Sequence, residues 1–259
     1  MKNLAHVVTF FGKPGGKTAS GVNYNSNDLR VIDTQLELIQ RSMHDGVIVL
    51  WYGDVDPYIN EACENFLFLC EKRQMLFALC VDPWAMGANK ATMTVDQKNT
   101  KWTVLLGLAK PFFSSPAYIP EKYIIDFATG ADIPTVIKQN PGFQILRTYV
   151  EVAWPKVSAG LDSKANLIQQ NSTAIIPGVM HSFSDYDPKT PANSIWGGPA
   201  RRIDGQDGLF ELDVMKAPVG PQATYRQRIT FNDYFERTHV ERDLINDALR
   251  LGLDVTPLL

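Results

Sequence analysis

Short apolar runs alternate along this chain with longer segments whose apolar residues recur every three or four positions. That alternation is the pattern of βαβ units, in which helices cover a parallel sheet. The first expected strand is His6–Phe11. After a Gly-rich loop, Asn27-Asp28 can cap a helix carrying Leu29, Ile32, Leu36 and Ile39 on one face. Gly46 closes that unit. Val47–Tyr52 then reads as apolar throughout, as a strand covered on both faces requires. Asp56-Pro57 opens a second helix through Ile59, Cys63, Phe66, Leu67 and Cys70. A third strand, Met75–Val81, runs into Asp82-Pro83-Trp84, and a helix near Lys101–Leu108 leads to a fourth at Tyr123–Phe127. Asp132-Ile133-Pro134 caps a short helix, and Phe143–Trp154 contains the fifth strand. A helix at Leu161–Gln170 precedes a strand at Thr173–Val179. The last strand is expected at Arg228–Phe231, ahead of a helix near Arg242–Leu251.

Roughly seven or eight strands, most of them separated by helices, predict an α/β fold of the (β/α)8 TIM-type barrel class. The 259 residues suit one such domain, spanning 1–259, and no linker divides them. One stretch departs from the pattern. Ser182–Gln222 is rich in Gly, Pro and Asp, with a weak strand at Leu209–Leu212. A segment this long is expected to be a βα loop over the site that replaces part of a βα unit, with a strand inside it.

Charge narrows the partners. The net charge of −3 and a pI near 5.8 provide no basic field to collect phosphates, so nucleic acid is not an expected partner. No apolar run approaches the roughly 20 residues of a membrane span. The N-terminal run ends at Gly12-Lys13-Pro14 with no small-residue cleavage site, so no signal peptide is expected. Cytoplasmic synthesis is expected, with association with a virion or export by another route as alternatives. Cys63, Cys70 and Cys80 are odd in number and lack zinc spacing, which predicts buried free thiols and fits a reducing compartment.

Gly12-Lys13-Pro14-Gly15-Gly16-Lys17-Thr18 ends like a phosphate loop, but only three residues separate Gly12 from the Gly-Lys-Thr where the motif needs four. The polar run Ala19–Ser26 also stands where the helix N-terminus should support the phosphate. An ordinary loop is expected there, and no metal or cofactor is expected anywhere in the chain.

In βα barrels the chemistry lies at the C-terminal ends of the strands. Trp51 and Tyr52 end the second strand, Asp82 and Trp84 follow the third, and Asp126 stands in the fourth. Glu151 marks the fifth, His181 follows the sixth, and Asn232 and Tyr234 follow the last. Carboxylates bind hydroxyls and move protons, and aromatic faces cover the apolar faces of sugar rings, so this rim reads as a carbohydrate site. Asp54, Asp56 and Asp132 read instead as helix caps, and Trp102 as core. The polarity of His181, Asp185 and Asp187 reads as that of a loop, since their spacing matches no compact metal site. Arg201-Arg202 reads as a solvated pair or a loop anchor.

The densest chemistry is in Ile229–Glu241, where a strand enters a turn loaded with acids. Strand geometry would send Asp233 and Glu236 to opposite faces, whereas a helical turn starting near Asp233 brings residues three apart together. Two carboxyls so placed repel, which raises one pKa and sets an acid beside a base.

The same segment resembles the closing strand motif of glycoside hydrolase family 99, the endo-α-mannosidases and endomannanases, and of related bacterial polysaccharide-cluster proteins. That pattern is Ser-Phe-Asn-Glu-Trp-x-Glu-Gly-Thr-x-Ile-Glu. Phe231, Asn232, Glu236, Thr238 and Glu241 match it, with Asp233 for Glu, Tyr234 for Trp, Val240 for Ile and Arg237 for Gly. Asp45–Gly53 is similar to the family's Trp-Trp-Gly strand, and Phe77–Trp84 to its strand ending in Glu-Pro-Tyr, here with Asp82. Ile176-Pro177-Gly178 and the later Arg201-Arg202 loosely match its Pro-Gly strand and arginine-bearing loop. The resemblance implies a (β/α)8 barrel and a retaining, endo-acting hydrolase of α-linked glycans. It also implies that Asp233 deprotonates the sugar's 2-hydroxyl, which attacks the anomeric carbon to give a 1,2-anhydro sugar. Glu236 then acts as acid on the leaving oxygen and as base for water. The shorter Asp233 and the bulkier Arg237 leave a second expectation, a barrel that binds carbohydrate without cleaving it within a larger assembly such as a phage or cell-surface machine.

Overall fold

The computed structural model describes residues 1–14, 23–127, 129–147, 165, 169, 173–180, 183–184, 202–203, 215–229 and 241–259. In chain order these give β1 (Lys2–Val7), α1 (Leu29–Arg41), β2 (Gly46–Trp51), α2 (Pro57–Arg73), β3 (Leu76–Val81), α3 (Val95–Ala109), β4 (Tyr123–Asp126), α4 (Ile133–Gln139) and β5 (Gln144–Arg147). They continue with β6 (Gly178–Met180), β7 (Phe183–Ser184), β8 (Arg202–Ile203), β9 (Tyr225–Ile229) and α5 (Glu241–Arg250).

Local chemistry fixes most of these boundaries. Asp28, Asp56 and Asp132 cap α1, α2 and α4, each accepting a backbone N–H of the first turn, and Pro57 and Pro134 sit where a missing N–H costs nothing. Thr94 and Gln97 cap α3 reciprocally. β2 is buried at all its positions, which suits a central parallel strand. Gly46 is required there, because a Cβ would collide with the carbonyl oxygen of Leu76 on β3. Cys63, Cys70 and Cys80 are buried and unbridged, and burial pushes all three thiols up.

Seven strands form one sheet in the order β5-β4-β3-β2-β1-β9-β6, and all neighbouring pairs run parallel. The last strand lies beside the first, as in a barrel. The sheet is also curled. On a flat sheet β9 and β4 would stand about 19 Å apart, yet the Tyr225 hydroxyl on β9 donates to the Glu121 carboxylate just before β4. Likewise β1 and β4 would be about 14 Å apart, but the His6 and Phe127 rings lie 6.0 Å from centroid to centroid. Both contacts cross a concave face, so the described strands form an α/β half-barrel. Its edges are β5 and β6, and residues 148–172 between them lie outside the described set apart from 165 and 169.

The expected strand positions shift at three places, one of them the sixth strand, expected at Thr173–Val179 and found at Gly178–Met180. β1 starts at Lys2 instead of His6, because its polar start is paired with Tyr225 and Arg226 of β9 and held by the Asp45 carboxylate. β9 is Tyr225–Ile229 and precedes the expected 228–231. The long 182–222 segment carries its own antiparallel pair, β7 with β8; Leu209–Leu212 and the helix expected at 161–170 fall outside the described residues, save 165 and 169. No described helix is long and apolar enough to cross a membrane.

Candidate active site

The two faces of the sheet can be assigned from register, because in-register neighbours in a parallel sheet point the same way. Trp51, Val81 and Asp126 form one row across β2 to β4. Trp51 packs edge-on against Phe112 and donates its indole N–H to Asn60 on α2 at 2.8 Å, so this row faces the helices. The alternate rows face the concave side. One contains His6, Ile48 and Ala78, and the next contains Leu50, Cys80, Ile125 and Leu146. Tyr52, Asp82 and Phe127 continue that side to the C-terminal rim.

This assignment divides the residues expected to bind substrate. Trp51 and Asp126 are fully buried on the helix side. Asp126 accepts the backbone N–H of Thr129 at 3.1 Å, and Thr129 in turn receives the Trp102 indole at 2.8 Å. Neither side chain reaches the concave space, and their work is to pack the helix layer. Trp102 is core as expected.

Tyr52, Asp82 and Trp84 stand just past the C-terminal ends of β2 and β3. Asp82 is nearly buried and accepts the Trp84 backbone N–H at 2.7 Å, capping the 3-10 turn at Pro83–Met86. Trp84 is 51% exposed, and the Lys90 ammonium sits over its ring. Burial lowers the pKa of Lys90, while the Asp82 carboxylate opposes that shift. Asp82 thus fixes the turn that carries Trp84, and Lys90, a residue the sequence did not single out, places its ammonium on the Trp84 ring.

The β1 side of the rim is braced. Gly12 turns with φ +73°, and a Cβ there would meet Asn25 Cα at 2.7 Å. The Tyr58 hydroxyl bonds the Phe11 carbonyl and Asn25, and Lys13 pairs with the Asp56 carboxylate. Lys13 therefore serves the scaffold; residues 15–22, which include the rest of the phosphate-loop-like stretch, lie outside the described residues.

β9 reaches this rim at Ile229. Residues 230–240, with Asn232, Asp233, Tyr234 and Glu236, lie outside the described residues, as do Glu151, His181, Asp185, Asp187 and Arg201. The chain is held firmly on both sides of 230–240. β9 is in register with β1, pairing Arg228 with Ala5. Glu241 is fully buried and accepts from the Tyr24 hydroxyl at 2.8 Å and the Gln35 amide at 2.6 Å, which ties α5 to α1. The motif glutamate at 241 is thus an anchor for the segment that precedes it.

Two further concave residues, His6 and Gln227, escaped the sequence reading. Burial pushes the His6 pKa down from 6.5 to about 4, which keeps the ring neutral. A polar residue between the apolar pairs Leu4-Ala5 and Val7-Val8 was the available signal for His6; Gln227 was hidden among the polar neighbours of Tyr225–Arg228.

Comparison with solved structures supports the fold. An endo-α-mannosidase of glycoside hydrolase family 99 from Bacteroides thetaiotaomicron, in complex with bis-tris propane, superposes with a TM-score of 0.62 at 15% identity. The match covers 93% of this chain and 86% of that one. A second structure of the B. thetaiotaomicron family 99 endo-α-mannosidase gives a TM-score of 0.59 at 15% identity, over 92% of this chain and 87% of the other. No protein-family model matches the sequence, and no curated protein is detectably similar to it. The fold is therefore similar to that of these family 99 endo-α-mannosidases, with the described strands forming a half-barrel.

Proposed function

We propose that this protein is a retaining, endo-acting glycoside hydrolase whose substrate is an α-linked, mannose-containing polysaccharide or glycan. The observation that carries the reading is the fold likeness to endo-α-mannosidases over nearly the whole chain. It is supported by an aromatic and carboxylate rim, Tyr52, Asp82 and Trp84, at the strand ends where barrel enzymes work. In this reading Asp233 takes the proton of the sugar 2-hydroxyl as that oxygen attacks the anomeric carbon. Glu236 protonates the departing glycosidic oxygen, then deprotonates the water that opens the 1,2-anhydro sugar. Asp233 returns its proton to that 2-oxygen as the anhydro ring opens, so both carboxyls end in their starting states.

Asp233 in place of glutamate favours a second reading, a non-catalytic carbohydrate-binding barrel within a larger assembly. One methylene less withdraws the carboxylate by about 1.5 Å, and a misplacement of about 1 Å can cost 100-fold in rate. One assay separates the readings. Release of reducing ends from α-mannan should fall at least about 100-fold in Glu236→Gln, the scale of lost general acid catalysis. Full activity in that variant ends the catalytic assignment, and wild-type binding without any reducing ends establishes the binder.

A further inference from the structure

His6 and Gln227 are buried to 3% and 2% exposure, and both His6 ring nitrogens and the Gln227 amide nitrogen meet no hydrogen-bond partner among the described residues. An unpaired buried polar atom costs about 1–3 kcal/mol, so three of them on one face call for an external partner. They share that face. Gln227 is in register with Leu4, and His6 follows Leu4 by two positions. The pleat puts the His6 and Gln227 Cβ atoms about 8 Å apart, a gap two long side chains and one bridging oxygen can span. Each residue also lies within about 7 Å of the end of its strand, close under the rim.

The donors and acceptors identify what fits. A neutral imidazole offers one N–H and one lone pair, and the amide nitrogen offers only N–H. An anion would find no positive charge on these two groups, and a cation would face the amide hydrogens. A hydroxyl, which donates and accepts at once, satisfies both residues. The Phe127 ring beside His6 adds an apolar wall of the kind that packs on a sugar ring.

We propose that His6 and Gln227 form the hydrogen-bonding floor of the concave site, receiving hydroxyl groups of a bound neutral sugar. The inference rests on the carbohydrate reading above and deepens it by placing the inner end of the binding site on β1 and β9.

The test combines calorimetry of manno-oligosaccharide binding with the imidazole ¹⁵N signals of His6, in wild type and in His6→Phe and Gln227→Leu. Both variants should melt at or above the wild-type temperature, because each removes an unpaired buried group. Both should bind oligosaccharide at least tenfold more weakly, and the wild-type His6 nitrogens should shift on titration. Wild-type affinity in both variants overturns the floor and leaves the carbohydrate site standing. A lowered melting temperature with static His6 signals also overturns it, since that is a structural role. If wild type binds no manno-, gluco- or galacto-oligosaccharide at millimolar concentration, the carbohydrate reading fails. The floor is then decided with glycerol as a neutral polyol: a His6 response lost in Gln227→Leu upholds it, and no response overturns it.

Discussion

The two faces of the curled sheet carry similar residues and treat them in opposite ways. On the helix side, Trp51 and Asp126 are fully buried and their polar atoms are bonded within the protein, to Asn60 and Thr129. On the concave side, His6 and Gln227 are nearly as deeply buried but keep polar atoms unpaired among the described residues. Hydrogen bonds made inside the protein stabilise it and leave nothing for a ligand; concave polar atoms without partners weaken the fold and remain available for binding. The contrast holds for these four residues; on β9 the Arg226 Nε, which points away from the concave face, is also buried without a hydrogen-bond partner among the described residues.

The sharpest way to break that contrast is Trp51→Ala. Loss of a fully buried indole from the helix layer should destabilise the fold by about 3–5 kcal/mol in urea unfolding. If instead the variant kept its stability and lost oligosaccharide binding, Trp51 would belong to the site and the division of faces would be wrong.

That division also explains what could be read from the sequence. The βα rhythm, the caps at Asp28, Asp56 and Asp132, the core position of Trp102 and the free thiols are all set by local chemistry and are legible without coordinates. The facing of Trp51 was not legible. β2 is apolar at every position, so its period of two carries no phase, and only pairing with β3 and packing on α2 reveal which side is which. Lys2 and Asn3 resemble a polar tail until Asp45, from another part of the chain, captures them. Gln227 is concealed similarly, between Arg226 and Arg228, which point away from the concave face. The family-like motif at 229–241 was legible as a pattern, and of it the structure describes the anchor Glu241.

A second test uses the proton as the probe. Folded His6 is neutral with a pKa of about 4, whereas the unfolded chain takes up that proton near 6.5. Between those values the unfolded state binds more protons, so stability from this group is complete above pH 6.5 and falls as the pH drops toward 4. The loss is about 3 kcal/mol. His6→Phe removes it, and the difference between wild-type and variant stability curves isolates it from the carboxylates. A difference that stays flat through this window would mean that the folded ring takes up its proton as readily as the unfolded one, and His6 would then not be a buried neutral group.

The smallest expected effect is the most discriminating. Trp84 is 51% exposed at the rim, so Trp84→Ala should change stability by no more than about 0.5 kcal/mol, the ordinary range for a surface substitution. If the ring is a platform for sugar, its stacking energy of about 0.5–1.5 kcal/mol should appear in affinity as a loss of about 2- to 12-fold. Lys90 sharpens the result, because its ammonium lies over the same ring and must move aside before a sugar can stack there. Lys90→Ala should therefore tighten binding, while Lys90→Ala combined with Trp84→Ala should bind no better than Trp84→Ala alone. Equal gains from Lys90→Ala in both backgrounds would show that the lysine acts on the ligand through its charge and that the indole face is not the surface on which the sugar rests.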